Sequence, residues 1–320
     1  MPDETTINLK DINIPPKLRD VLEKISIVAR DLSDIISVSP ISGGLDTKVG
    51  KNSDGDGQKA LDIIADEAYV SALISTDVRW YASEEQEEVL AMKAEGSLAL
   101  AIDPLDGSSN INSNVSIGTI FGIYPAKEDA NASFLRKGSD LLAAGYVIFG
   151  PQTSLVFSIG NGINYFVLDR SQEKFIRVDQ SFSITKTSQE YAINSSNTRH
   201  WPNTFSKYIK NCNLGERGPF NKNYNMRWIA SLVAETHRIL VRGGVFLYPE
   251  DGRKGYENGR LRMVYECAPI AYLIEQAGGL AVDGNIPILD IVPNSLHVRT
   301  PFCFGSEDEI LRLIKVIKEI

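Results

Sequence analysis

Cysteine and histidine are scarce in this sequence, with three of each in 320 residues. Cys212, Cys267 and Cys303 are too few and too widely spaced for a disulfide framework or a zinc site. They read as reduced thiols of a cytoplasmic protein. His200, His237 and His297 lack ligand spacing, so structural or surface roles are expected. No apolar run reaches the ~18 residues of a membrane span. There is no basic excess: 33 Lys and Arg face 41 Asp and Glu, for a net charge of −8. That excludes nonspecific nucleic-acid binding, which needs a basic face. The opening MPDETTINLKDIN is polar and reads as neither a signal nor a transit peptide. A Gly-x-Ser-x-Gly elbow, a Walker loop and a Cys/His nucleophile pair are all missing.

What is present fits a soluble globular chain, at 43% hydrophobic and 23% charged residues. The length predicts two domains. Residues 1–16 read as a frayed arm, and helical spacing predicts a helix over 17–36. A Gly-, Ser- and Asp-rich loop follows, then a helix over about 60–74. Strand-like runs then recur with short turns from Ser97 to Asp179, as in an antiparallel meander. The polar stretch 179–190 is the expected boundary. Beyond it the pattern alternates: a strand at YAINSS, a helix over 225–241, and strands at VFLYP and LRMVYE. A helix carrying Pro269 follows, and a last helix has Ser306 and Glu309 as a capping box. Strand runs followed by alternation predict layered α+β and α/β domains.

The chemistry is acidic. Asp103 and Asp106 bracket Pro104 and Leu105 directly after an apolar run, ahead of Gly107-Ser108-Ser109-Asn110. Two carboxylates and a carbonyl on one turn suit a hard divalent cation. Backbone N–H groups and hydroxyls on the following turn suit a phosphate beside it. Glu84, Glu85 and Glu266 also sit at ends of predicted elements. Taken alone, EEQEE is most simply a solvated helix face and DPLDG an ordinary turn. The Asp54 and Asp56 registers fail as EF-hands, because the required glycine and acids are absent.

In order along the chain, SEE, DPLDGSSNIN, SLVAETHRIL, GGVFLYP and GRLRMVYECAPIAYLIEQAGG together resemble the class I fructose-1,6-bisphosphatases. These belong to the lithium-sensitive, metal-dependent sugar phosphatases. The resemblance runs from about Lys17 onward. It implies an α-β-α-β-α sandwich of two domains. Residues 1–185 would carry the metal motifs and regulatory-type helices, and 186–320 an α/β domain with a sugar-phosphate pocket. By position it implies Glu84, Asp103, Asp106, Glu266 and the Leu105 carbonyl as metal ligands, with Asp56 delivered by a mobile loop over 43–60. The expected ion is Mg²⁺, with Mn²⁺ as substitute.

Asp62 and Glu85 would prepare the attacking water, and Asp106, Gly107, Ser108 and Ser109 would hold the 1-phosphate. Asn194, Trp228, Tyr248 and Arg260 would surround the sugar and 6-phosphate, and Arg227 would reach a neighbouring subunit's substrate in a homotetramer. The implied reaction is hydrolysis of fructose 1,6-bisphosphate in gluconeogenesis or a carbon-fixing cycle. Sedoheptulose 1,7-bisphosphate is the alternative substrate, and an inactive sugar-phosphate sensor the alternative role. The chain departs from the family at Ser195-Ser196-Asn197, Trp228 and Arg260. It also departs in the nucleotide region, where Pro15-Pro16 and Ser97-Leu98 replace a glycine turn and a Lys-Tyr pair.

Overall fold

The computed structural model describes residues 6–38, 48–51, 57–179 and 182–319. Asp56 and most of the 43–60 loop lie outside the described residues. Among those described, the strands form two main sheets. The larger has eight strands. Its meander runs through Leu98–Asp106, Ile117–Pro125, Ala143–Phe149, Thr153–Ser158, Asn164–Asp169 and Lys174–Arg177. Beyond Leu98–Asp106, strand Val78–Ser83 adds in parallel and Leu90–Ala91 completes the edge.

Period-two alternation assigns this sheet's faces. Leu98, Leu100 and Ile102 point to one side, where they meet helices α1 (Pro16–Val38) and α2 (Ala60–Leu73). Ala99 and Ala101 point to the other side, whose core is shared with α4 (Leu232–Arg242) and α5 (Ala268–Gln276). The small side chains let those helices approach closely. α3 (Asn203–Asn213) and α6 (Glu307–Lys318) cover the far side of a five-stranded sheet. That sheet runs Asn225–Met226, Glu190–Ala192, Val245–Tyr248, Phe302–Gly305 and Leu280–Val282. Its Phe246, Phe302 and Phe304 face the central helices, while Val245, Leu247 and Cys303 face α3 and α6. The result is the expected five-layer α-β-α-β-α order. α5, buried almost throughout, serves both sheets, which is why its sequence shows no polar face.

Several local expectations need correction. The arm is not frayed from residue 6 onward. Ile7, Leu9, Ile12 and Ile14 are buried, and Ile7 bridges to Phe175 at the sheet edge. Those four apolar side chains have a core to cover, and Pro16 opens α1. The 225–241 helix starts only at Leu232. Ser231 caps it by accepting from Ala234 N–H (3.4 Å), and Asn225–Met226 pairs instead as a strand. In LRMVYE only Leu261–Arg262 is strand; Met263–Cys267 is a π-turn leading into α5. The capping box does not form. Ser306 Oγ accepts from Gly244 N–H (3.2 Å), and buried Glu309 binds Lys222 (2.7 Å) and the Tyr224 hydroxyl (2.6 Å). Glu84 and Glu85 follow a strand rather than lying on a helix face. The three cysteines are buried and free, and among the described residues no helix is long and apolar enough to cross a membrane.

His237 illustrates the central layer's demands. It lies on α4 among the rings of Tyr146, Tyr165 and Phe182, with Nδ1 2.8 Å from the Tyr146 hydroxyl. Burial pushes its pKa down from 6.5 to about 4. The unfolded chain therefore takes up this proton first, and the contribution to stability is lost as pH falls through that window. At about 1.4 kcal/mol per unit, urea unfolding at pH 7 and pH 4.5 should show the difference between wild type and His237→Gln moving about 2–3 kcal/mol in the variant's favour at the lower pH. A difference independent of pH would contradict this account.

Candidate active site

The strand Leu98–Asp106 carries the opening pair of acids, and its register explains how they meet. Asp103 pairs with Ile120 and Asp106 with Gly118, so one strand spends three residues where its partner spends two. Strict alternation would put Asp103 and Asp106 on opposite faces of the sheet. The extra residue of this bulge flips the second acid onto the first one's face and leaves Leu105 on the α1/α2 side. Leu105 N–H donates to Asp103 Oδ1 (3.0 Å), and Thr119 Oγ1 donates to the Pro104 carbonyl (2.9 Å). These bonds satisfy backbone groups that the bulge removes from the ladder.

Other elements bring further acids to the same point. Glu266 sits on the π-turn and accepts Arg262 N–H (2.6 Å). Carboxylate oxygens of Asp103, Asp106 and Glu266 lie within 4.8 Å of one another. Glu84 extends the neighbouring strand, its N–H on the Ile102 carbonyl (3.0 Å), which brings its charge to bear on Asp103. Glu85, partly buried, is the next residue. Asp62 lies buried in the first turn of α2, which packs on Leu98–Asp106.

Burial and mutual repulsion dominate the electrostatics. Burial, then the Glu84, Asp106 and Glu266 charges, push Asp103 well above the usual carboxylate range. Burial drives Asp106 up to about 7, against the stabilising N–H of Val233 (3.0 Å) in the first turn of α4. Burial likewise takes Glu266 to about 7, opposed by Arg262. The Arg262 guanidinium, 2.9 Å from Glu84 and 4.0 Å from Glu266, offsets part of the charge. A buried, oxygen-only, net-negative cluster fits a hard divalent cation. The residues present therefore suit the metal that the motifs imply.

The turn beyond the acids is shaped for close approach. Gly107 has φ +76°, a left-handed conformation that side chains with a Cβ resist. Ser108–Ser113 then forms a short 3₁₀ turn, tied down by Asn110 Nδ2 donating to the Ala230 carbonyl (2.7 Å).

Asn194, Tyr248 and Arg260 line one small cleft. Trp228 stacks in parallel on Tyr248, with ring centres 6.0 Å apart. Burial raises the Tyr248 pKa; Arg260 lowers it and Glu266 raises it, so this phenol lies within the field of both regions. The Asn194 side chain accepts from Ser196 Oγ (2.6 Å) and Ser196 N–H (3.2 Å). Arg227 stands apart from that cleft. It is half-exposed, with Nε 3.5 Å from Glu190.

Sequence reasoning missed Arg262 and Tyr256. Arg262 is 7% exposed, and a cation inside an apolar run was its one visible signal. The ring face and hydroxyl oxygen of Tyr256 hold Arg260: the guanidinium stacks 4.0 Å over the Tyr256 ring and donates to its hydroxyl (2.8 Å). A lysine would not stack in this way.

Two family descriptions match. Fructose-1-6-bisphosphatase, N-terminal domain, covers residues 7–180, and Fructose-1-6-bisphosphatase, C-terminal domain, covers 184–318. The chain is 55% identical over 300 residues to a class 1 fructose-1,6-bisphosphatase of Cereibacter sphaeroides, covering 94% of this chain and 90% of that one. It is 54% identical to the class 1 enzyme of Rhodobacter capsulatus, covering 96% and 92%. Among solved structures, Leishmania major fructose-1,6-bisphosphatase in holo form superposes with a TM-score of 0.90 at 34% identity, covering 95% and 96% of the two chains. Its apo form gives 0.84 at 32% identity, covering 96% and 95%. With this site and these matches along nearly its whole length, the chain belongs to the class 1 fructose-1,6-bisphosphatase family.

Proposed function

We propose that this chain hydrolyses the 1-phosphate of fructose 1,6-bisphosphate to fructose 6-phosphate and inorganic phosphate. The observation that carries the reading is the meeting of Asp103, Asp106 and Glu266 on a bulge immediately before the Gly107 turn. Glu84, Asp103, Asp106, Glu266 and the Leu105 carbonyl would hold Mg²⁺, or Mn²⁺ in its place, with Asp56 as a further ligand. A bound divalent cation supplies charge neutralisation and polarisation at the phosphoryl group. Asp106 to Ser109 receive the 1-phosphate. Asp62 and Glu85 take the proton of the attacking water, whose oxygen bonds to phosphorus as the ester P–O bond breaks. The sugar alkoxide leaves and gains a proton from solvent.

Asn194, Trp228, Tyr248 and Arg260 hold the sugar and the 6-phosphate, and Arg227 serves a neighbouring active site in a homotetramer. We divide the chain functionally at residue 185 and place it in cytoplasmic carbohydrate metabolism, in gluconeogenesis or carbon fixation. A second reading, dual use of sedoheptulose 1,7-bisphosphate, rests on Arg260 in the distal cleft, where its guanidinium is held on the Tyr256 ring. Phosphate release from each sugar separates the two.

Asp103→Asn and Glu266→Gln should each abolish phosphate release yet leave the metal-free chain at least as heat-stable as wild type, since each removes a buried, repelled charge. Full turnover by either variant would refute the site. Arg260→Ala should raise KM about tenfold or more, because a charge-assisted phosphate contact contributes roughly 1.5–3 kcal/mol. An unchanged KM would place the 6-phosphate elsewhere.

Inhibition by AMP should be weak. Lys17 is bound to Asp77 (2.8 Å) and to Ser97 Oγ (3.1 Å), and Lys93 also pairs with Asp77 (3.3 Å). These cations are already engaged where the family admits a nucleotide. Half-inhibition at low micromolar AMP would contradict this.

A further inference from the structure

We infer that Asp66 is a positioning residue, which sets the Glu84–Glu85 turn against α2 through a paired clamp on Tyr81 and Gln86. Asp66 lies one helical turn beyond Asp62 and is 6% exposed. The Tyr81 hydroxyl donates to its Oδ1 (2.7 Å), and Gln86 Nε2 donates to its Oδ2 (2.5 Å). The two donors flank the acids: Tyr81 lies in the strand before Glu84 and Gln86 directly follows Glu85. One carboxylate thus grips both sides of the turn, each oxygen taking one donor.

Packing alone would call for an apolar residue here, because a buried acid is costly unless its hydrogen bonds are met. Asp66 meets that cost by fixing geometry. It lies on the helix that carries Asp62, so it sets the spacing between Asp62 and the Glu84–Glu85 pair. Opposite the clamp, the Gln86 carbonyl lies 3.1 Å from His297 Nε2, which ties the turn to the C-terminal half as well. Asp66 touches neither substrate nor metal in this scheme and acts through Gln86. The inference rests on the proposed roles of Glu84, Glu85 and Asp62.

A swap of the pair tests it. Gln86→Glu sets two carboxylates against each other and should push the turn away from α2. Adding Asp66→Asn restores one amide facing one carboxylate at the same side-chain lengths, with the asparagine oxygen still able to accept from Tyr81. The single variant should lose about 10–100-fold in kcat, the scale of a 1 Å misplacement, with KM for fructose 1,6-bisphosphate nearly unchanged. Its Mn²⁺ affinity by calorimetry should fall about tenfold through Glu84, a shift worth 1.4 kcal/mol. The double variant should recover both quantities to within about threefold. Thermal melts without metal confirm that each chain is folded at the assay temperature. Should Gln86→Glu not fold, Gln86→Leu removes the donor without adding charge and should show the same losses.

A folded double variant that stays as impaired as the single would overturn the clamp. So would a single variant that binds Mn²⁺ and turns over like wild type. Wild-type chain inactive on this substrate would overturn the proposed function instead, and the Mn²⁺ titration would then judge the clamp alone.

Discussion

Buried carboxylates that repel one another are the constraint around which this molecule is arranged. Asp103, Asp106, Glu266 and Glu84 converge out of water, and burial pushes the first three upward in pKa. Such an assembly does not form by its own attraction. It has to be imposed by rigid neighbours, and those neighbours account for much of the architecture. Two adjacent parallel strands deliver Glu84 and Asp103. A bulge turns Asp106 inward, and a π-turn at the head of α5 delivers Glu266. The N-terminal turn of α4 donates an N–H to Asp106, where a helix N-terminus favours negative charge.

This explains why α5 is so hydrophobic and why α4 carries a continuous buried face. α4 and α5 hold functional groups at their N-terminal ends; α5 is buried almost throughout and α4 buries one face in the same core. The Phe246, Phe302 and Phe304 rings on one side and the alanine face of Leu98–Asp106 on the other leave them little freedom to shift. The sheets supply stiffness, and the turns at their ends supply chemistry.

Much of this was legible in the sequence, and the gaps have physical causes. The meander from Leu98 to Arg177 showed itself because short apolar runs alternate with turn residues. α1 did so because its buried stripe keeps helical spacing. Asp103 and Asp106 were visible as a pair, but the bulge that unites them was not, since a bulge depends on what the partner strand does. The π-turn was hidden for a similar reason: MVYEC is apolar apart from Glu266 and carries no periodicity to separate strand from helix. The Ser306–Glu309 capping box satisfied the local pattern, yet tertiary partners captured both side chains. Local rules yielded wherever a distant residue offered a stronger bond. Asp66 and Gln86 escaped notice because two polar residues twenty positions apart have no pattern until the strand and helix pack.

The central claim is that the acidic cluster exists to hold a divalent cation beside the Gly107 turn. Anomalous scattering from a crystal soaked with Mn²⁺ tests this most directly. The account predicts a strong peak in contact with the carboxylates of Asp103, Asp106 and Glu266. A crystal with full Mn²⁺ exposure and no peak among these three acids, or with its peaks only elsewhere, would contradict it.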